Sequence, residues 1–229
     1  MWRLSVSSSL ATRLLNRPNF LLVIASMVFC LLTAAASAQS PSTSLHGKDL
    51  TWMLGFNGKQ TDQLVNDSRF TATLSAYFHH VLLPFNHEAV PNGLLSYFGP
   101  PNDVAVANNR YVVASACALE FCQEKILLWA DSEKSAPVLI VAVILLSHEE
   151  AKDGKQGAHL WLISSLTSDG NSLPQSFVTS LRDWLKVEVY PALREDSAIA
   201  GGIKVATLLS APTGKSQLLT LENLNLPAF

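Results

Sequence analysis

The sequence predicts an α+β domain with a central antiparallel sheet of about five strands flanked by helices and one hairpin loop stapled by a disulfide. Three observations carry that expectation. Apolar residues recur at helical spacing between Asn66 and Pro84 and again after Ser172. Short runs rich in branched residues crowd the stretch from Val104 to Ile163. Between two of those runs stand Cys117 and Cys122, at C-x4-C spacing.

The elements follow in chain order. Residues 1–38 read as a secretory signal: Arg3, Arg13 and Arg17 with no acid, an apolar run from Phe20 to Leu32, and a small-residue ending at Ala36-Ser37-Ala38. The competing reading is an uncleaved membrane anchor, but the thirteen residues from Phe20 to Leu32 fall short of the roughly 20 that a spanning helix needs. Cleavage after Ala38 leaves 13 basic and 18 acidic residues, a net charge of about −5. That balance gives no electrostatic footprint for nucleic acid. Residues 39–63 read as a flexible leader, rich in serine in its first part, and residues 64–190 as the folded domain.

Within the domain, Asn66 or Asp67 can cap a helix whose stripe is Phe70, Leu74, Tyr77, Phe78 and Val81, with Pro84 ending it. A second short helix, Gly93 to Phe98, stops at Gly99-Pro100-Pro101. Strands are expected at Val104–Val106 and Arg110–Ala116, joined through Asn108 and Asn109, which tolerate left-handed geometry. Lys125–Ala130 follows, and then Val138–Leu146, whose unbroken apolar run marks a buried central strand. His159 to Ile163 alternates between two faces. Ser172, Pro174 and Gln175 signal the start of a helix with Phe177, Leu181, Trp184 and Leu185 as its apolar stripe. Residues 191–229 form a C-terminal extension, with a hairpin expected around Ala211-Pro212-Thr213-Gly214.

Cys117 and Cys122 are the only cysteines left after signal removal, so in an exported chain a disulfide is the default. A zinc site would need further ligands at regular spacing, and none lie nearby. The four enclosed residues, Ala118, Leu119, Glu120 and Phe121, are then either a structural staple or a pre-organised recognition loop, and the two readings are compatible.

Other chemistry is thinner. His79, His80, His87 and Glu88 cluster in sequence, and they define the enzymatic alternative, a cell-envelope hydrolase. Adjacent helical residues point about 100° apart, however, so His79 and His80 cannot both ligate one ion from a regular helix. No metal site or cofactor is expected. Ala211-Pro212-Thr213-Gly214-Lys215-Ser216 ends like a phosphate-binding loop but has Leu209 where the first glycine belongs. The acidic pairs Glu149-Glu150 and Glu195-Asp196 read as solvated charge.

The segment from Gly99 to Lys134 combines a proline turn, a strand, Ser115-Ala116-Cys117, four loop residues, Cys122 and a second strand ending near Trp129. It resembles the inhibitor of vertebrate lysozyme (Ivy) family, as do Leu160-Trp161-Leu162 and the Asp169-Gly170 turn. The resemblance covers about residues 64 to 185. It implies a periplasmic or secreted, often dimeric domain that binds c-type lysozyme or another peptidoglycan-cleaving enzyme through the Cys117–Cys122 loop. In that family the loop reads Cys-Lys-Pro-His-Asp-Cys, and its histidine reaches the catalytic carboxylates. This chain has Glu120 at that position.

Overall fold

A computed structural model describes residues 48–146, 157–167, 173–195, 202–222, 224 and 226. The signal segment, the start of the leader, Glu149-Glu150, Asp169-Gly170 and the Ser172 cap lie outside the described residues. Among the described residues, no helix is long and apolar enough to cross a membrane.

Seven strands form one sheet: β1 (Ala105–Ala107), β2 (Tyr111–Cys117), β3 (Lys125–Asp131), β4 (Val138–Leu146), β5 (Ala158–Ser164), β6 (Ile203–Ser210) and β7 (Lys215–Leu219). Their spatial order is their chain order, so the uninterrupted apolar run of β4 lies at the middle of the sheet. Every neighbouring pair is antiparallel except β5 and β6, which run parallel.

The helices are few and short. A 3-10 turn (Thr51–Phe56), α1 (Thr61–Val65), α2 (Ser68–Tyr77) and α3 (Val90–Leu95) precede the sheet. Between β5 and β6 come α4 (Gln175–Trp184), a π-type segment (Leu185–Val189) and α5 (Tyr190–Glu195).

This architecture corrects the expectation of about five antiparallel strands flanked by helices. The sheet has seven strands and is mixed, because the hairpin assigned to a C-terminal extension enters it. After β5 the chain passes through α4 and α5 before returning, which brings β6 back parallel to its neighbour. The disulfide is also not confined to a hairpin loop. Cys117 is the last residue of β2 and is buried, so one sulfur is anchored inside a strand.

Side chains alternate across the sheet and feed two separate cores. On one face Val112, Ala114, Ile126, Leu128, Val141 and Val143 meet Leu50, Met53, Leu64, Phe70, Leu74 and Leu94 from the N-terminal helices. On the other, Leu127, Trp129, Ile140, Ala142 and Leu160 meet Phe177, Leu181, Trp184, Leu185 and Tyr190.

Local chemistry explains the boundaries. The Asp67 side chain accepts from the Arg69 backbone N–H at 2.9 Å and caps α2. The helix ends at Tyr77, seven residues before Pro84, and His80 follows at a φ of 61°. Asn108 and Asn109 both adopt positive φ and close the β1–β2 hairpin, and Gly214 does the same between β6 and β7.

On β5, His159 stacks on Trp161 with centroids 4.3 Å apart, and its Nε2 lies 2.9 Å from the Thr207 hydroxyl of β6. Burial pushes the imidazole below its ordinary value of 6.5, so the fold favours the neutral ring. Below that value the unfolded chain takes up a proton that the folded chain resists. Stability is therefore expected to fall as pH drops from about 7 toward 5. His159→Gln should remove part of that loss, read as denaturation midpoints at the two pH values; equal losses in both proteins would show that His159 contributes nothing to it.

Candidate functional site

The Cys117–Cys122 loop is built on a strand end. Cys117 pairs with Lys125 as the last step of the β2–β3 ladder, and the S–S bond is formed. The Ala118 N–H donates to Glu124 O at 2.9 Å and the Glu124 N–H to Phe121 O at 2.8 Å, so the loop is closed by its own backbone as well as by sulfur. Its other end is fastened to the sheet: the Leu146 N–H at the end of β4 donates to Glu124 Oε1 at 3.3 Å.

Under the loop runs the Gly99–Asn102 segment. The Gly99 N–H donates to Cys117 O at 2.9 Å, and the Asn102 N–H to Ser115 O at 3.1 Å. A Cβ on Gly99 would stand 2.7 Å from Cys117 O and 2.8 Å from Leu119 N. Gly99 is not the helix stop expected of it, because α3 has already ended at Leu95. What requires glycine is the close approach of two backbones.

Above this base the loop projects into solvent. Leu119 is 77 % exposed and Phe121 58 %, the larger values a side chain shows when it does not fold back onto its domain. Glu120 and Cys122 are exposed beside them, while Ala118 is half-buried. The Lys125 ammonium approaches Cys122 Sγ at 3.9 Å. Nearby, burial and then the carboxylates of Glu124 and Glu88 push the Tyr97 phenol up to about 12.

A second polar group, absent from the sequence reading, lies two residues along β2. The Ser115 hydroxyl donates to Glu188 Oε1 at 2.9 Å, and Asn102 Nδ2 donates to Glu188 Oε2 at 2.8 Å and to Ser115 Oγ at 3.0 Å. Glu188 belongs to the π-type segment and ties the crossover to the sheet near the loop. The trio ties the segment after Gly99, β2 and the π-type segment together as a hydrogen-bonded clasp.

The histidines are placed differently. His79 and His80 touch, with ring centroids 3.6 Å apart, and His80 and His87 both adopt positive φ. His79 lines a cavity of about 420 Å³ with Lys48, Tyr77, Pro137 and Ser165; His80, His87 and Glu88 are not part of its lining. Among the described residues no group of three or more His, Cys, Asp or Glu side chains is placed to hold a metal ion.

Comparison with family models, with curated proteins and with solved structures gives no match to this chain.

Proposed function

We propose that the chain is an exported binding protein of the lysozyme-inhibitor type, which uses the Cys117–Cys122 loop to engage a peptidoglycan-cleaving enzyme. The observation that carries this reading is the loop itself. Two large apolar side chains, Leu119 and Phe121, stand exposed on a segment closed by a disulfide and seated on Gly99. A loop already held in one shape loses little entropy on docking, and apolar anchors at its tip suit the centre of a protein interface. The class of target comes from the resemblance of Gly99–Lys134 to the Ivy family.

Glu120 makes the choice of enzyme testable. Two like charges about 4 Å apart repel by roughly 4 kcal/mol at an effective dielectric near 20, so a glutamate aimed at two catalytic acids opposes docking. The purified protein should be titrated against a c-type lysozyme and a lytic transglycosylase. Binding at micromolar concentration or tighter is expected for one of them, with Leu119→Ser/Phe121→Ser weakening it about 100-fold. Glu120→Gln should bind c-type lysozyme about tenfold more tightly, a gain near 1.4 kcal/mol. No binding to either class at micromolar concentration would remove the proposal.

A further inference from the structure

On the sheet face that α4 covers, the helix packs on β3, with Val113 of β2 at the margin of the same core. The result is a cleft of about 290 Å³, near the lower end of small-ligand sites. Ala105, Val113 and Leu127 form its floor, three residues that share one face because Ala105 pairs with Val113 and strands alternate. Trp184, only 4 % exposed, closes its helical side, and Asp183 and Glu188 supply its charge.

Two features separate this cleft from an ordinary helix–sheet groove. The first is electrical. No basic residue lines it, and neither Asp183 nor Glu188 enters an ion pair among the described residues. Glu188 receives hydrogen bonds from Ser115 and Asn102, but both donors are neutral, so no cation among the described residues compensates its charge. The second is conformational. Glu188 reaches the sheet from inside the π-type segment, a helix irregularity that concentrates at functional sites.

An apolar floor and two carboxylates that no cation among the described residues pairs with complement one side chain best. Arginine offers a long apolar stem and a planar fork that matches carboxylate geometry. Val113, Ser115 and Cys117 follow one another on the same face of β2, so the cleft opens about 13 Å from the base of the loop. We infer that the cleft is a second recognition site, which takes an arginine side chain of the protein that the loop engages. This rests on the reading above only for the source of the arginine.

The cleft can be tested on the full chain without any enzyme. The probe is Nα-acetyl-arginine N-methylamide, followed by NMR at the Trp184 indole N–H and the Val113 methyl groups, with the uncharged citrulline analogue as isosteric control. Saturable shifts at a Kd of about 1 mM are expected, with the citrulline probe at least about fivefold weaker. Asp183→Asn should weaken the arginine probe about fivefold and leave the fold untouched, because Asp183 is exposed and holds no structural bond among the described residues. Glu188→Gln should do the same, and intact Ser115 and Asn102 resonances would show whether the clasp survives. Shifts that do not saturate, or equal binding of the arginine and citrulline probes, would overturn the inference. Loss of enzyme binding in the Leu119→Ser/Phe121→Ser variant reports on the loop alone, so the two readings fail separately.

Discussion

Trp129→Ala is expected to lower stability by about 3–5 kcal/mol, a large share of the 5–15 kcal/mol that holds a typical domain together. Trp129 is fully buried on β3, stacked on Tyr111 at 5.7 Å and set edge-on to Phe177 of α4 at 5.8 Å. It therefore joins two strands and the crossover helix through one ring system. Among the described residues its Nε1 is buried with no hydrogen-bond partner, so the contacts that hold the indole are packing contacts. Trp129→Phe keeps much of that packing and removes the orphaned donor, and should lose less than half as much as the alanine variant. Urea unfolding midpoints at unchanged m-value measure both; a phenylalanine variant as unstable as the alanine one would show that the indole nitrogen matters after all.

Gly99→Ala is expected to cost about 1–3 kcal/mol and to move the recognition loop. The added Cβ would meet Cys117 O at 2.7 Å, Leu119 N at 2.8 Å and Leu119 Cα at 2.9 Å. All three are backbone atoms, so no rotamer change relieves the contact, and one chain must shift from the other. The disulfide keeps the loop closed, so the shift is a displacement of the whole loop. Amide resonances should move at Ala118 to Cys122, at position 99 and at Asn102, while the β3–β4 ladder stays in place. If stability and loop resonances matched the unsubstituted protein, the loop would not be seated on Gly99.

Local signals in the sequence are strong where a segment's partner is its neighbour. The stripe Phe70, Leu74 and Phe78 is buried as its spacing requires, and the paired asparagines close the β1–β2 hairpin. The apolar run of Val138–Leu146 takes the middle of the sheet. The hairpin around Ala211–Gly214 forms as expected, but its place beside β5 was not legible, because that pairing depends on where a long crossover returns and not on any residue in β6. Glu188 was hidden for a related reason. A lone acid beside an apolar stripe reads as a solvated charge, and only the π-type segment brings it to Ser115. For the candidate loop, the pair of cysteines left after signal removal carried the bond itself. The exposure of Leu119 and Phe121 was open, since apolar loop residues can equally pack inward.

The two cores also impose an order on assembly. One face of the sheet is completed by residues that precede it, from Leu50 to Leu94, whereas the other waits for Phe177 and the residues after it. A chain emerging N-terminus first can thus pack most of one core, short of Leu209, while Leu127, Trp129, Ile140, Ala142 and Ile144 still face solvent. Such a half-clothed sheet is a sticky species, and its lifetime is set by how fast the last quarter or so of the polypeptide arrives. For this protein the step most exposed to aggregation comes late, when the crossover helix must find a bare sheet before another chain does.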